Sequence, residues 1–137
     1  MLFKSLAPLL CLLGVLSAAP LAAPDAALHA GDNKDSPKLK EPTAKQKQIA
    51  AAIAKGHAWQ KHVVEEKLFP ECKTPDDFVQ VIAKVIANPT HHKKLENERE
   101  AFFDQKSNTI VIYNPRARDK GTCFRPRNGL KYYENLK

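Results

Sequence analysis

Two short stretches hold the side chains able to do acid–base and phosphate chemistry: "GHAWQKH" at 56–62 and "GTCFRPRNGLKYYENLK" at 121–137. Imidazole titrates near neutral pH, so His57 and His62 could act as general base and general acid in phosphodiester transfer, each role contributing roughly 10²- to 10⁴-fold in rate. Lys61, four residues after His57, shares its side of a helix. At the other end of the chain, Arg125 could clamp a phosphate through paired donors and stabilise its developing charge. Thr122 would hold the same group, Arg127 and Lys131 add positive charge, and Tyr132 or Tyr133 could stack on a base or hold a phosphate oxygen. Geometry sets conditions on both stretches. On a regular helix His57 and His62 lie about 140° apart, so both rings reach one pocket only if the helix breaks near Gly56. On a regular strand Thr122 and Phe124 share one face and Cys123 and Arg125 the other. The competing reading is a partly buried structural His57, a solvated His62 and basic residues guarding an edge strand.

The elements that must position these groups are legible in the periodicity. Residues 43–69 read as an amphipathic helix with Ile49, Ala52, Ile53, Gly56, Trp59, Val63 and Val64 on its apolar side. Trp59 is expected in the core, and Gly56 loosens the middle of the helix. In "TPDDFVQVIAKVIANP" Thr74 caps, Pro75 suits the first helical position, Asp76 and Asp77 face the positive end of the dipole, and Asn88-Pro89 stops the helix. "THHKKLENE" reads as a polar connection with His91 and His92 in solvent, lacking a third ligand at any metal spacing. "REAFFDQKSNTIVIYNP" predicts two strands around a turn at 105–108, followed by a loop at 114–121, a third strand near 122–125 and a last short element carrying Tyr132, Tyr133 and Leu136. Helices followed by an antiparallel sheet predict an α+β domain over 44–137.

Residues 1–23 read as a signal peptide, with cleavage between 18 and 31, and predict a secreted or periplasmic protein. The apolar run is too short and Pro-interrupted for a membrane span, and Leu10 before Cys11 argues against lipidation. Residues 24–43 read as a flexible linker. The formal charge of the chain is +7, and losing Lys4 with the leader leaves +6. Such a balance seeks anionic partners, nucleic acid or membrane headgroups among them, although basic charge can also serve solubility alone. In an oxidising compartment Cys72 and Cys123 are expected to pair, contributing roughly 4 kcal/mol by loop closure. Two separate buried thiols are the other possibility, and neither cysteine has CxxC spacing.

In their order, "GHAWQKH", "FP", the Thr-Pro-capped helix ending in "NP", "AFFDQKSNTIVIYNP" and "GTCFRPRNGLKYYENL" resemble a toxin domain from the C-termini of bacterial contact-dependent and other polymorphic toxins. The resemblance covers about residues 54–136. Such domains belong with the barnase/EndoU/colicin/RelE (BECR) group of metal-independent ribonucleases, in which helices pack on an antiparallel sheet that holds the RNA. It implies a secreted ribonuclease-like toxin that works without a cofactor or metal, acts as a monomer on RNA such as tRNA, and is countered by an immunity protein. It also matches His57 and His62 to the histidine motif, and Thr122, Arg125 and Tyr132 or Tyr133 to the strand and C-terminal motifs. Two departures stand out: no large delivery domain precedes the domain, and Cys72 and Cys123 occupy positions usually apolar or small. The alternative from another class is a non-enzymatic basic protein that binds nucleic acid, an anionic surface or a partner protein.

Overall fold

The computed structural model describes residues 38–137; the leader and residues 24–37 of the linker lie outside them. Helix α1 (Ala44–Lys55) starts at a capping box, the Thr43 hydroxyl accepting from the Gln46 amide while the Gln46 side chain returns to the Thr43 backbone. Its buried stripe is Ala50, Ile53 and Ala54 with Ile49 at the flank, a step round from the expected line through Ala52. The expected single long helix is not formed. Gly56 leaves the helical region at φ −80 and ψ −161, and a π-helical segment (Trp59–Glu65) follows with the wide closure Glu66 N to Lys61 O at 2.9 Å. The change of winding moves Val64, expected inside, to the surface, and keeps Val63 buried. Trp59 packs on the core as expected, 6.0 Å from Phe78.

Helix α2 (Pro75–Ala87) follows its sequence signals closely: Thr74 and Asp77 form the capping box, and Phe78, Ile82, Ala83, Val85 and Ile86 are buried. It ends at Asn88, whose side-chain amide exchanges two hydrogen bonds with the backbone of Lys40. The last residues of the segment read as linker are thereby pinned to the domain.

Four antiparallel strands form a meander in the order β1 (His91–Lys94), β2 (Glu100–Asp104), β3 (Thr109–Tyr113), β4 (Gly121–Phe124). Strand β1 is the element the sequence concealed, because two histidines and two lysines carry no strand composition. Register aligns its His91 with Phe103 and its His92 with Phe102. His92 stays exposed as expected, stacked on Phe102 at 4.4 Å and paired with Glu100, whereas His91 is half-buried against Phe103 and Tyr133. Pairing of Val111 with Cys123 and of Ile110 with Phe124 gives the sheet two faces. Val111 and Cys123 join α1 and α2 in the main core. On the other face Ala101, Phe103 and Ile110 are covered by Tyr133 from a short C-terminal helix, α3 (Leu130–Glu134). The whole is an α+β domain, and among the described residues no helix is long and apolar enough to cross a membrane.

The expected disulfide is absent: Cys72 and Cys123 are free, buried thiols. Each serves as a small apolar residue in the helix-side core, and burial pushes both thiols above their ordinary range, away from the reactive thiolate.

Candidate active site

The break at Gly56 and the π-helical winding place the two histidines together at the free edge of β4. In an i→i+5 winding, residues five apart come close to one side of the helix, and the His57 and His62 ring centroids are 6.4 Å apart. The expected exposures are reversed. His62 is the enclosed ring, with 8% of its side chain exposed, whereas His57 is open at 53%. The ring of His62 lies against Phe124 at 5.3 Å, and its Nε2 faces the Thr122 hydroxyl at 3.2 Å.

Each histidine is backed by a carboxylate through Nδ1. His62 meets Glu66 at 2.6 Å, and His57 meets Asp119. Hydrogen bonding from His62 holds the Glu66 carboxyl below its usual range, with Lys61 and Arg127 adding positive potential in the same direction. Hydrogen bonding from His57 does the same for Asp119. Both acids are therefore ionised acceptors at neutral pH, which assigns the Nδ1 proton in each ring and leaves each Nε2 turned away from its carboxylate. Neither acid stood out beforehand. Glu66 was detectable four residues after His62 on a helix, but Asp119 is 62 positions from His57 and had no local signal.

Backbone constraints deliver Asp119 to that place. A Cβ on Gly56 would lie 2.5 Å from the Asp119 Cβ, so the approach of the loop to α1 requires glycine. Gly121, at φ +131, closes the loop where a Cβ would sit 1.9 Å from the Ile112 carbonyl oxygen.

These groups line an open cleft of about 690 Å³. His57, His62 and Thr122 form its polar wall, and Leu68, Phe124 and Pro126 its apolar one. Lys61 and Arg127 are exposed at the cleft, and neither is in an ion pair among the described residues. Tyr132 also lines it, 37% exposed and edge-on to Phe124 at 5.3 Å. The choice between the two tyrosines is thus made. Tyr133, 7% exposed, is a core residue stacked on Phe103 with the Lys93 ammonium 4.9 Å from its ring, and burial pushes its hydroxyl pKa up. Lys131 is exposed on α3 and does not line the cleft.

Arg125 borders the cleft, but its guanidinium is not free to clamp a phosphate. As the strand alternation requires, it departs from the face of Thr122 and turns to the helix side. Its Nη1 donates to the Leu68 carbonyl at 2.8 Å, its Nη2 pairs with Glu71 at 2.5 Å, and the plane lies over the Phe69 ring at 4.5 Å. Burial pushes the Glu71 carboxyl up, and a backbone hydrogen bond and Arg125 more than reverse this, leaving it below its usual range. Arg125 anchors the 68–71 loop, from which Leu68 lines the cleft. Among the described residues no group of three or more His, Cys, Asp or Glu converges as a metal site would require. In comparison with known proteins, no family model and no curated protein matches the chain.

Proposed function

We propose that the domain is a secreted ribonuclease-like toxin of the BECR kind, cleaving RNA by attack of a ribose 2′-hydroxyl on the adjacent phosphate. The observation that carries this reading is the pair of carboxylate-backed histidines, 6.4 Å apart, on the wall of one basic cleft. One neutral histidine takes the 2′-hydroxyl proton on Nε2 as the O2′–P bond forms. The other, cationic, gives its Nε2 proton to O5′ as the P–O5′ bond breaks. The products are a 2′,3′-cyclic phosphate and a free 5′-hydroxyl, and every step is a proton transfer or a substitution at phosphorus. His57, the more accessible ring, remains the first choice as base or acid, with His62 as its counterpart. Thr122 Oγ1, beside His62 Nε2, is placed to donate to a phosphate oxygen. The charge on the pentavalent phosphate falls to Lys61 and Arg127, in the role first given to Arg125.

Membership of that toxin group rests on the motif order and on the helices-plus-meander layout, and an immunity protein and a tRNA target follow from it only as proposals. The test is incubation of the mature protein with total RNA in EDTA. Fragments ending in cyclic phosphate support the reading. Intact RNA that is nonetheless bound would turn it into that of a non-enzymatic nucleic-acid binder.

A further inference from the structure

A second hollow of about 310 Å³ adjoins the cleft, and the two share His57 and Thr122 as common wall. We infer that the site holds two consecutive nucleosides, one on each side of the His57–Thr122 partition, with the linking phosphate at the partition itself. This rests on the ribonuclease reading for the position of the phosphate. Of the groups proposed to act on the phosphate, His57, which exchanges a proton, and Thr122, which donates to a phosphate oxygen, belong to both hollows, so the reacting phosphorus lies at their partition and each of its two ester substituents enters one hollow. A ligand ending at the phosphate would fill only one. Both volumes fall within the range of about 300–1,000 Å³ usual for small-molecule pockets.

The linings differ in ways that suit two nucleosides. In the larger hollow Phe124 and Tyr132 cross at 84°, offering an exposed aromatic surface on which a base stacks. Exposed Asn128 beside them carries the donors and acceptor needed to meet a base edge. The smaller hollow is lined by apolar Ile112 and Ala117, with Asn114, Arg99 and the His57-paired carboxylate of Asp119 as its further polar groups. Arg99 is a fixed cation here, since its Nε donates to Glu96 O and its Nη2 to Lys137 O. Asn114 Oδ1 accepts from the Arg116 amide, which turns its NH₂ into the group available to a ligand. The wall that carries Ala117 is braced, Asn114 N bonding to Lys120 O and Lys120 Nζ to Pro115 O, both at 2.8 Å.

The experiment compares two uncut ligands by titration of the mature protein: a 2′-deoxy dinucleoside monophosphate, and the 3′-mononucleotide of its first base. The mononucleotide carries the greater negative charge, so electrostatics alone favours it. The expected result is that the dinucleotide binds roughly tenfold tighter, a gain of about 1.4 kcal/mol, and that Ala117→Trp, which fills the smaller hollow, brings the affinity ratio to about one. Asn114→Ala serves as the second variant should the tryptophan disturb folding, and is expected to lower the same ratio. Equal affinities for the two ligands, or a ratio untouched in a folded variant, would overturn the inference. Cleavage of RNA by the unmodified protein is scored separately. Tight dinucleotide binding without cleavage keeps the two-nucleoside site and removes the catalytic reading, while cleavage without any dinucleotide gain does the reverse.

Discussion

His57 and His62 are chemically the same group in two settings, one open and one enclosed, each with an ionised carboxylate on Nδ1. Removing either should lower RNA cleavage by roughly 10²-fold or more, as loss of a general acid or base does. Single-turnover rates of His57→Ala and His62→Ala, compared at equal thermal stability, check this; a wild-type rate in both contradicts it. Arg125 belongs to a different category. With its donors committed to Leu68 and Glu71, Arg125→Ala should destabilise the domain by about 1–3 kcal/mol, and Arg125→Lys should recover little because the planar fork is lost. Denaturant unfolding measures both, and a large fall in rate with unchanged stability would restore the phosphate-clamp role. The histidine motif, Lys61, Thr122 and a tyrosine at 132 or 133 were legible from residue type and order. The occupation of Arg125 was not, since only strand alternation hinted that it leaves the face of Thr122, and Glu71 and Leu68 lie more than 50 positions away.

Elements with local signals formed as read: the Thr74 cap and the Asn88-Pro89 stop of α2, and the strands on either side of the 105–108 turn. What escaped was set by tertiary partners. The four residues of β1 pair because β2 offers an edge, and the winding after Gly56 answers to the approach of Asp119. Two tests follow. Replacing Gly56 with Ala would ordinarily favour a helix by about 1 kcal/mol, yet the added Cβ meets Asp119 at 2.5 Å. Gly56→Ala should therefore lose cleavage activity without a matching loss of melting temperature; full activity would show that the Asp119 contact is dispensable. The second concerns the cap of α2. The amides of Thr74 and Lys73 hold the Asp77 carboxyl below its ordinary 3.8. Its folded pKa being the lower one, Asp77 contributes stability fully above pH 3.8 and loses it as pH falls through the folded value. The melting-temperature gap between wild type and Asp77→Ala should be present at pH 6 and close in strong acid. A gap independent of pH would mean that the carboxylate charge has no part in it.

At the scale of the molecule, two helices and a π-helical segment bury one face of a four-stranded meander, and the cleft opens at the β4 edge between that segment and the C-terminal helix. The positive balance of the chain, and Lys61 and Arg127 standing outside any ion pair among the described residues, predict that RNA binding weakens steeply with salt, because neutralised phosphates release counterions. Affinity that stays flat from low to physiological salt would argue against a phosphate-tracking surface. The central claim is that two carboxylate-backed histidines exchange protons across one scissile phosphate. The most direct measurement is the pH dependence of RNA cleavage in EDTA, with the product ends identified. The account predicts a bell-shaped profile between about pH 5 and 8, the range in which histidine titrates, with one limb lost in each single-histidine variant and 2′,3′-cyclic phosphate on the 5′ fragment. Absence of cleavage at any pH, or cleavage leaving a 5′-phosphate, would contradict it.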